Sequence, residues 1–247
     1  STYDNPWALF WDGQVTAKRS SLENWWTVRL ANATTTLQDI VITNVGEGLY
    51  ITAIQGASST IETIKSRKTT EGGLYATSTA SFTITGLEIS ETGGEDIKLF
   101  NYNGTANLVN STLEDWTSMQ WNGSGSGAIN RQYTFRARVV DSTGAPIQNA
   151  HVVLKDKNNV TVVDENTDSN GYITEYTITT DIYNYANPSG LTKNPHTLLV
   201  TSTGKTDYSQ SLPISSALDF SVVMSSACDP DGTNPAYPMS YASTTNQ

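Results

Sequence analysis

Apolar and polar residues alternate over short runs along most of the chain, the period-two pattern of strands with one buried face. In the first half the pattern repeats. Residues 34–56 read TTTLQDIVITNVGEGLYITAIQG, 57–79 ASSTIETIKSRKTTEGGLYATST, 80–104 ASFTITGLEISETGGEDIKLFNYNG and 105–125 TANLVNSTLEDWTSMQWNGSG, with a looser copy over 14–33. Each copy has an alternating apolar stretch, a turn with Gly or an acid, and a second strand. The second strands align as TVRLA, GLYIT, GLYAT, DIKLF and SMQWN, led by Val28, Leu49, Leu74, Ile97 and Met119 at intervals of 21, 25, 23 and 22 residues. No such unit buries its own apolar face, so stacking about five turns into a β-solenoid is the expectation. A leucine-rich repeat shares the period but wants an Asn ladder that is absent. A β-sandwich is the competing reading of short alternating strands.

The second half changes character after the Gly/Ser run Gly123–Gly127. Tyr133, Phe135, Ala137 and Val139 alternate with polar residues, a turn follows at Ser142–Pro146, and VTVVD, GYITEYTI, HTLLVTS and LDFSVVM continue the pattern. Turn signals every eight to twelve residues fit a β-sandwich. The expected organisation is an N-terminal cap or subunit-contact segment (1–13), a parallel β-helix (14–130), a sandwich (131–227) and a tail or linker (228–247).

Residues 14–126, by their periodicity and strand pattern, resemble the right-handed parallel β-helix proteins of the pectate-lyase-like superfamily. The stretch VVDSTGAPIQNAHVVLKD followed by TDSNGYIT resembles carboxypeptidase-regulatory-like, transthyretin-like domains. The first resemblance implies a fold more than an activity. The second implies accessory duty as a spacer, adhesion or assembly module. Together they imply an all-β chain: a short right-handed parallel β-helix followed by an Ig-like/transthyretin-like β-sandwich.

Composition narrows the function classes. The net charge is −10, which disfavours nucleic acid, since phosphate binding needs clustered cations. Only 15% of residues are charged, against a usual ~25%, while 36 are Thr, so polarity comes from hydroxyls and amides. No apolar run reaches membrane-spanning length. A single Cys excludes an internal disulfide framework. The start at Ser1 reads as a processed or excised chain. Sequons at Asn32, Asn103, Asn110, Asn122 and Asn159 permit glycosylation. This profile suits an extracellular or cell-surface protein.

Candidate chemistry is sparse. Glu47, Glu71 and Glu95 recur 24 residues apart, with Asp96 beside the last. Stacked turns would crowd these carboxylates, so a Ca²⁺ ion along that edge is one expectation and solvated acidic turns the other. Asp164, Asn166, Asp168, Asn170 and Glu175 carry oxygens at calcium-loop spacing, but Ser169 stands where such a loop has Gly, and an ordinary hairpin turn is the alternative. Lyase chemistry would need acids and a base such as Arg19, Arg29, Lys65, Arg67 or Lys98, and no local signature links them. His151 and His196 read as structural. Trp25, Trp26 and Trp121 would stack on sugar rings if exposed, or fill the solenoid. Trp7, Phe10 and Trp11 precede the repeats and suit a subunit contact. The leading expectation is a non-catalytic structural or adhesive protein that assembles with copies of itself into a filament, sheath or surface layer. A polysaccharide-degrading β-helix and a glycan-binding module are the alternatives.

Overall fold

The computed structural model describes residues 9–52, 59–77, 79 and 81–227, with side chains from 14 onward except 31–34. The described residues form strands, turns and bends, without helix. Strands β1 (Leu9–Glu23), β2 (Val28–Thr43), β3 (Glu47–Ile51), β4 (Thr60–Arg67), β5 (Gly72–Thr77), β6 (Phe82–Ser90), β7 (Glu95–Phe100), β8 (Thr105–Val109), β9 (Met119–Asn122) and β10 (Ala128–Asp141) build a β-solenoid. All its pairings are parallel. One ladder runs from the first residues of β1 and β2 through β3, β5, β7 and β9. The other runs from the remainder of β1 and β2 through β4, β6 and β8 to the start of β10. The register is the one the repeat alignment requires: Val28, Leu49, Leu74, Ile97 and Met119 lie in one column, all buried. Leu30, Ile51, Ala76 and Leu99 form the next inward column, also buried.

Two columns of left-handed residues bend each turn at the same places. Arg19, Asp39, Thr63, Gly86 and Asn110 have φ of 51°, 56°, 54°, 70° and 49°. Each follows a member of the paired column Lys18, Gln38, Glu62, Thr85 and Val109. A second column, Asn24, Asn44, Lys68 and Glu91, has φ of 60°, 53°, 52° and 57° and follows Glu23, Thr43, Arg67 and Ser90. Asn101 and Gly123, at 44° and 76°, mark a further bend after Phe100 and Asn122. At each of these positions a single left-handed residue turns the chain.

Strand β10 leaves the solenoid without a break and continues into the second half. Its residues 128–135 pair antiparallel with β13 (Tyr176–Asn184), opposite β8, its residues 135–141 pair parallel with β17 (Leu218–Met224), and β14 (Asn187–Thr192) extends β13. A separate four-stranded sheet joins β12 (Thr161–Asn166), β11 (His151–Lys155), β15 (His196–Thr201) and β16 (Tyr208–Leu212). A second apolar core brings Phe135, Val139 and Val222 together with Val152, Leu154, Leu198 and Val200. The Gly/Ser run Gly123–Gly127 lies between β9 and β10. Part of the expected cap segment also belongs to the solenoid, since β1 begins at Leu9.

The two solenoid ends differ. At the far end the β13–β14 turn lies across the last coil. The Tyr102 N–H donates to Tyr185 Oη at 2.9 Å, and that hydroxyl donates to the Asn122 carbonyl at 3.1 Å. Trp121 meets Tyr185 edge-on at 5.0 Å, and Trp116 stacks on Tyr183 at 5.9 Å. Gly125 is required here, because a Cβ would fall 2.2 Å from the Tyr102 carbonyl oxygen and 2.7 Å from the Tyr185 ring. At the near end β1 has β2 as its one strand partner among the described residues, and Val15, Ala17 and Leu22 are only partly buried against the core.

Two outcomes test this account. Thr63 is exposed, β-branched and left-handed, a costly combination, and Gly86 occupies the same corner one turn on. Thr63→Gly raises the unfolding free energy by about 1 kcal/mol in urea titration, and Gly86→Thr lowers it by a similar amount. Tyr185→Phe removes both capping hydrogen bonds and costs about 1–3 kcal/mol in the same measurement.

Candidate functional site

The side chains best placed for chemistry line one outward edge of the solenoid. Strands β2, β3, β5 and β7 stack Arg29, Tyr50, Tyr75 and Lys98 in one outward column. The Tyr50 and Tyr75 rings stack with centroids 5.5 Å apart, the Arg29 guanidinium lies 5.2 Å from the Tyr50 centroid, and Lys98 Nζ lies 5.5 Å from that of Tyr75. Cations at both ends of two stacked π faces stabilise the column.

The acids predicted to stack lie beside it, in a different register. Glu47 pairs with Gly72, and Gly72 with Glu95, so a glycine separates the two carboxylates in their column. Glu71 sits one residue earlier, its N–H bonded to the Gly46 carbonyl at 2.9 Å. No carboxylate stands directly over another, which limits like-charge repulsion. The bridging cation is Lys98, whose Nζ is 3.5 Å from Glu95 and 3.7 Å from Glu71. Burial, then the Glu71 charge, push the Glu47 carboxyl above its ordinary range, while Lys98 and Arg29 pull it down.

Asp96 is not a member of this set. It is 1% exposed, buried next to Ile97 where strict alternation along β7 breaks. It continues the column of Gly48 and Gly73 and accepts hydrogen bonds from the Asp115 N–H at 2.9 Å and the Thr92 hydroxyl at 3.0 Å. Burial raises its pKa, against those two donors. It ties the turn before β7 to the turn before β9.

The spaced oxygens of 164–175 are also distributed. Asp164 and Asn166 lie in β12, and Asp164 pairs with His151 at 2.7 Å. Asp168 Oδ1 accepts the N–H groups of Asn170 and Tyr172, each at 2.8 Å, closing an Asx turn. Asn170 gives its carbonyl to Arg138, and Glu175 is exposed near Arg136. The turn at 141–146 is built alike, Asp141 Oδ1 accepting from Thr143 and Ala145. The Thr167 hydroxyl ties the two regions, donating to the Ile147 carbonyl and accepting from the Ala150 N–H. Both halves of the motif thus serve turn geometry. Among the described residues no three His, Cys, Asp or Glu side chains converge as a metal-ligand set.

The remaining candidates are scattered. Trp25 packs partly into the core, Trp26 lies under Gly46, and Trp121 belongs to the far-end cap, so they form no common row. Trp7 and the side chains of Phe10, Trp11 and Asn32 lie outside the described residues. Asn103 and Asn159 are exposed, the latter on a turn with φ of 63°. Asn122 is half-buried at the end of β9, and the Asn110 amide is engaged by Thr134 through both its oxygen and its nitrogen. His196 is buried, with Nδ1 3.0 Å from Asn194 Oδ1, and burial lowers its pKa.

The group that residue-by-residue reading missed is Tyr75. Its ring leans over Gly72, where a Cβ would sit 3.2 Å from Cε2, so the phenol enters the gap between Glu47 and Glu95. It is buried, and its hydroxyl has no hydrogen-bond partner among the described residues. Burial first, then the charges of Glu47, Glu71 and Glu95, push its pKa well above 10.0. The aligned GLYIT and GLYAT strands already put Tyr50 and Tyr75 in one column, the signal that identifies the stack. Tyr75→Phe removes a desolvated hydroxyl without breaking a bond and raises stability by about 1 kcal/mol in urea titration at pH 7. A raised phenol pKa gives stability that is whole below the unfolded value and lost as pH rises through the folded one. The variant therefore loses less stability than the parent above pH 10.

No protein-family model matches the chain, and no curated protein does. Two solved structures show what it is similar to. The Bacillus anthracis TIE protein aligns at 13% identity and a TM-score of 0.29, over 44% of this chain and 19% of that one. The 3-chlorocatechol 1,2-dioxygenase from Rhodococcus opacus 1CP aligns at 15% identity and a TM-score of 0.28, over 40% of this chain and 60% of that one. Both likenesses are partial and faint, so the chain's own geometry carries the functional reading.

Proposed function

We propose that the chain is an extracellular structural component that joins copies of itself through the uncovered end of its solenoid. The observation that carries this reading is the difference between the two ends. The far coil is roofed by Tyr183 and Tyr185, while among the described residues the 15-residue β1 pairs with β2 alone and Val15, Ala17 and Leu22 are half-covered. A long edge of unpaired backbone groups beside an open apolar core is a template for another strand. With one end closed, copies meet at like ends, a self-complementary contact. Larger arrays need a second contact, and the edge strands β12 and β17 carry Val162 at 36% and Val223 at 55% exposure, with Val160 at 54% just before β12. The hydroxyl- and amide-rich surface fits an extracellular setting. The second half, as a transthyretin-like β-sandwich, and the solenoid, as a right-handed helix of the pectate-lyase-like kind, belong to the same reading. The two motif turns at 141–146 and 167–172 support the first, and the parallel ladders of stacked turns support the second.

The test is the assembly state of the full chain by light scattering and electron microscopy. Parent protein forms dimers or larger arrays, while Ala17→Lys and Leu22→Lys hold it monomeric with an unchanged strand spectrum and a melting temperature within a few degrees. A parent chain that stays monomeric at high concentration, with or without Ca²⁺, overturns the reading and turns attention to glycans.

A further inference from the structure

The outer face of β10 and β17 carries two arginines in successive outward positions with unequal neighbours. In the parallel register Arg136 faces Asp219, and Arg138 faces Ser221. At the first position the chain supplies its own counter-charge: Arg136 Nε donates to Asp219 Oδ1 at 2.8 Å and Nη2 to Oδ2 at 3.2 Å. This is the two-point carboxylate grip that a guanidinium fork favours. At the second position a serine hydroxyl stands where the carboxylate would be. Among the described residues Arg138 has no ion pair, and its hydrogen bond is a long one, 3.5 Å from Nε to the Asn170 carbonyl.

The space at that position is shaped. Tyr172, paired with Arg138 by a single bridge, lies against both cations, its centroid 4.8 Å from the Arg136 guanidinium carbon and 5.3 Å from that of Arg138. Arg136, Arg138, Tyr172, Asp219, Phe220 and Ser221 line a cleft of about 240 Å³. In a chain of net charge −10 a guanidinium without a carboxylate is unusual.

We propose that Arg138, Ser221 and Tyr172 bind an external carboxylate, placed over Arg138 as Asp219 is placed over Arg136. The ligand is a small carboxylate or the acid group of a sugar, sized to one group rather than a polymer segment. Arg138 supplies the fork, the Ser221 hydroxyl a further donor, and the Tyr172 ring a flat wall.

The experiment follows the arginine Nε–H and Tyr172 ring signals of the full chain by NMR during titration with sodium acetate or glucuronate, against sodium chloride and glucose as controls. Expected is a saturable shift of Arg138 and Tyr172 at roughly millimolar carboxylate, with Arg136 held by Asp219. Equal response to acetate and glucuronate identifies a bare carboxylate as the ligand. Tighter glucuronate binding identifies an acidic sugar that uses the Tyr172 face. Ser221→Asp supplies the carboxylate from within and abolishes the response with the melting temperature held or raised. Arg138→Gln weakens the Tyr172 response about tenfold or more. A parent response matched by chloride, or one that survives in Ser221→Asp, overturns the proposal.

Discussion

Parallel stacking of successive turns at about 4.8 Å is the constraint on which the solenoid depends. It sets every side chain beside its counterpart in the next turn, so whatever stands at a position must tolerate a copy of itself. Aliphatic residues do so, and Val28, Leu49, Leu74 and Ile97 form a continuous buried rod. Aromatic rings do so when capped, as Tyr50 and Tyr75 are by Arg29 and Lys98. Carboxylates do not. Gly72 interrupts the Glu47–Glu95 column, and Lys98 sits between Glu71 and Glu95. Elsewhere the same rule yields a ladder in which Glu88 follows Lys65 and holds both Lys65 and Arg67.

The columns of the first ladder were legible because aliphatic residues recur at a near-constant interval, and an inward rod needs nothing else. The corners were not. Arg19, Asp39 and Thr63 are not turn-forming as a set, and their left-handed backbone is imposed by the stack rather than by local preference. The acidic edge was half legible. The 24-residue recurrence of the glutamates is real, yet a turn of different length shifts Glu71 by one position, and in a strand one position decides the face and the neighbour. Asp96 and Ile97 are both buried on β7, a break in alternation that no period-two pattern announces.

The Gly/Ser run at the junction marks a change of character in the sequence, and the structure gives those residues a packing task as well. Small residues at Gly125 and Gly127 let the last coil pass under Tyr102 and Tyr185. The tryptophans that suggested a sugar platform are partly consumed by the same closure, with Trp116 and Trp121 under Tyr183 and Tyr185. Such a contact joins segments more than sixty residues apart, so no local pattern could announce it. The competing packing and binding readings of an aromatic are separated only by knowing which end of the solenoid it faces.

Closure at one end also explains why β10 is the longest strand of the second half. A solenoid coil cannot end in water without exposing its core, and a free second domain would not cover it. Running β10 from the last coil directly into the next sheet fixes β13 against it, and β13 carries Tyr183 while the turn after it carries Tyr185. Arg131 strengthens the hinge of this arrangement. It lies over Trp116 of the solenoid at 4.6 Å and is paired with Asp181 of β13 at 3.7 Å. The two halves therefore share a strand, a cation and a set of rings. Stability of the last coil is then coupled to folding of the second core, while the first coil, at β1, has no such partner in the chain as described.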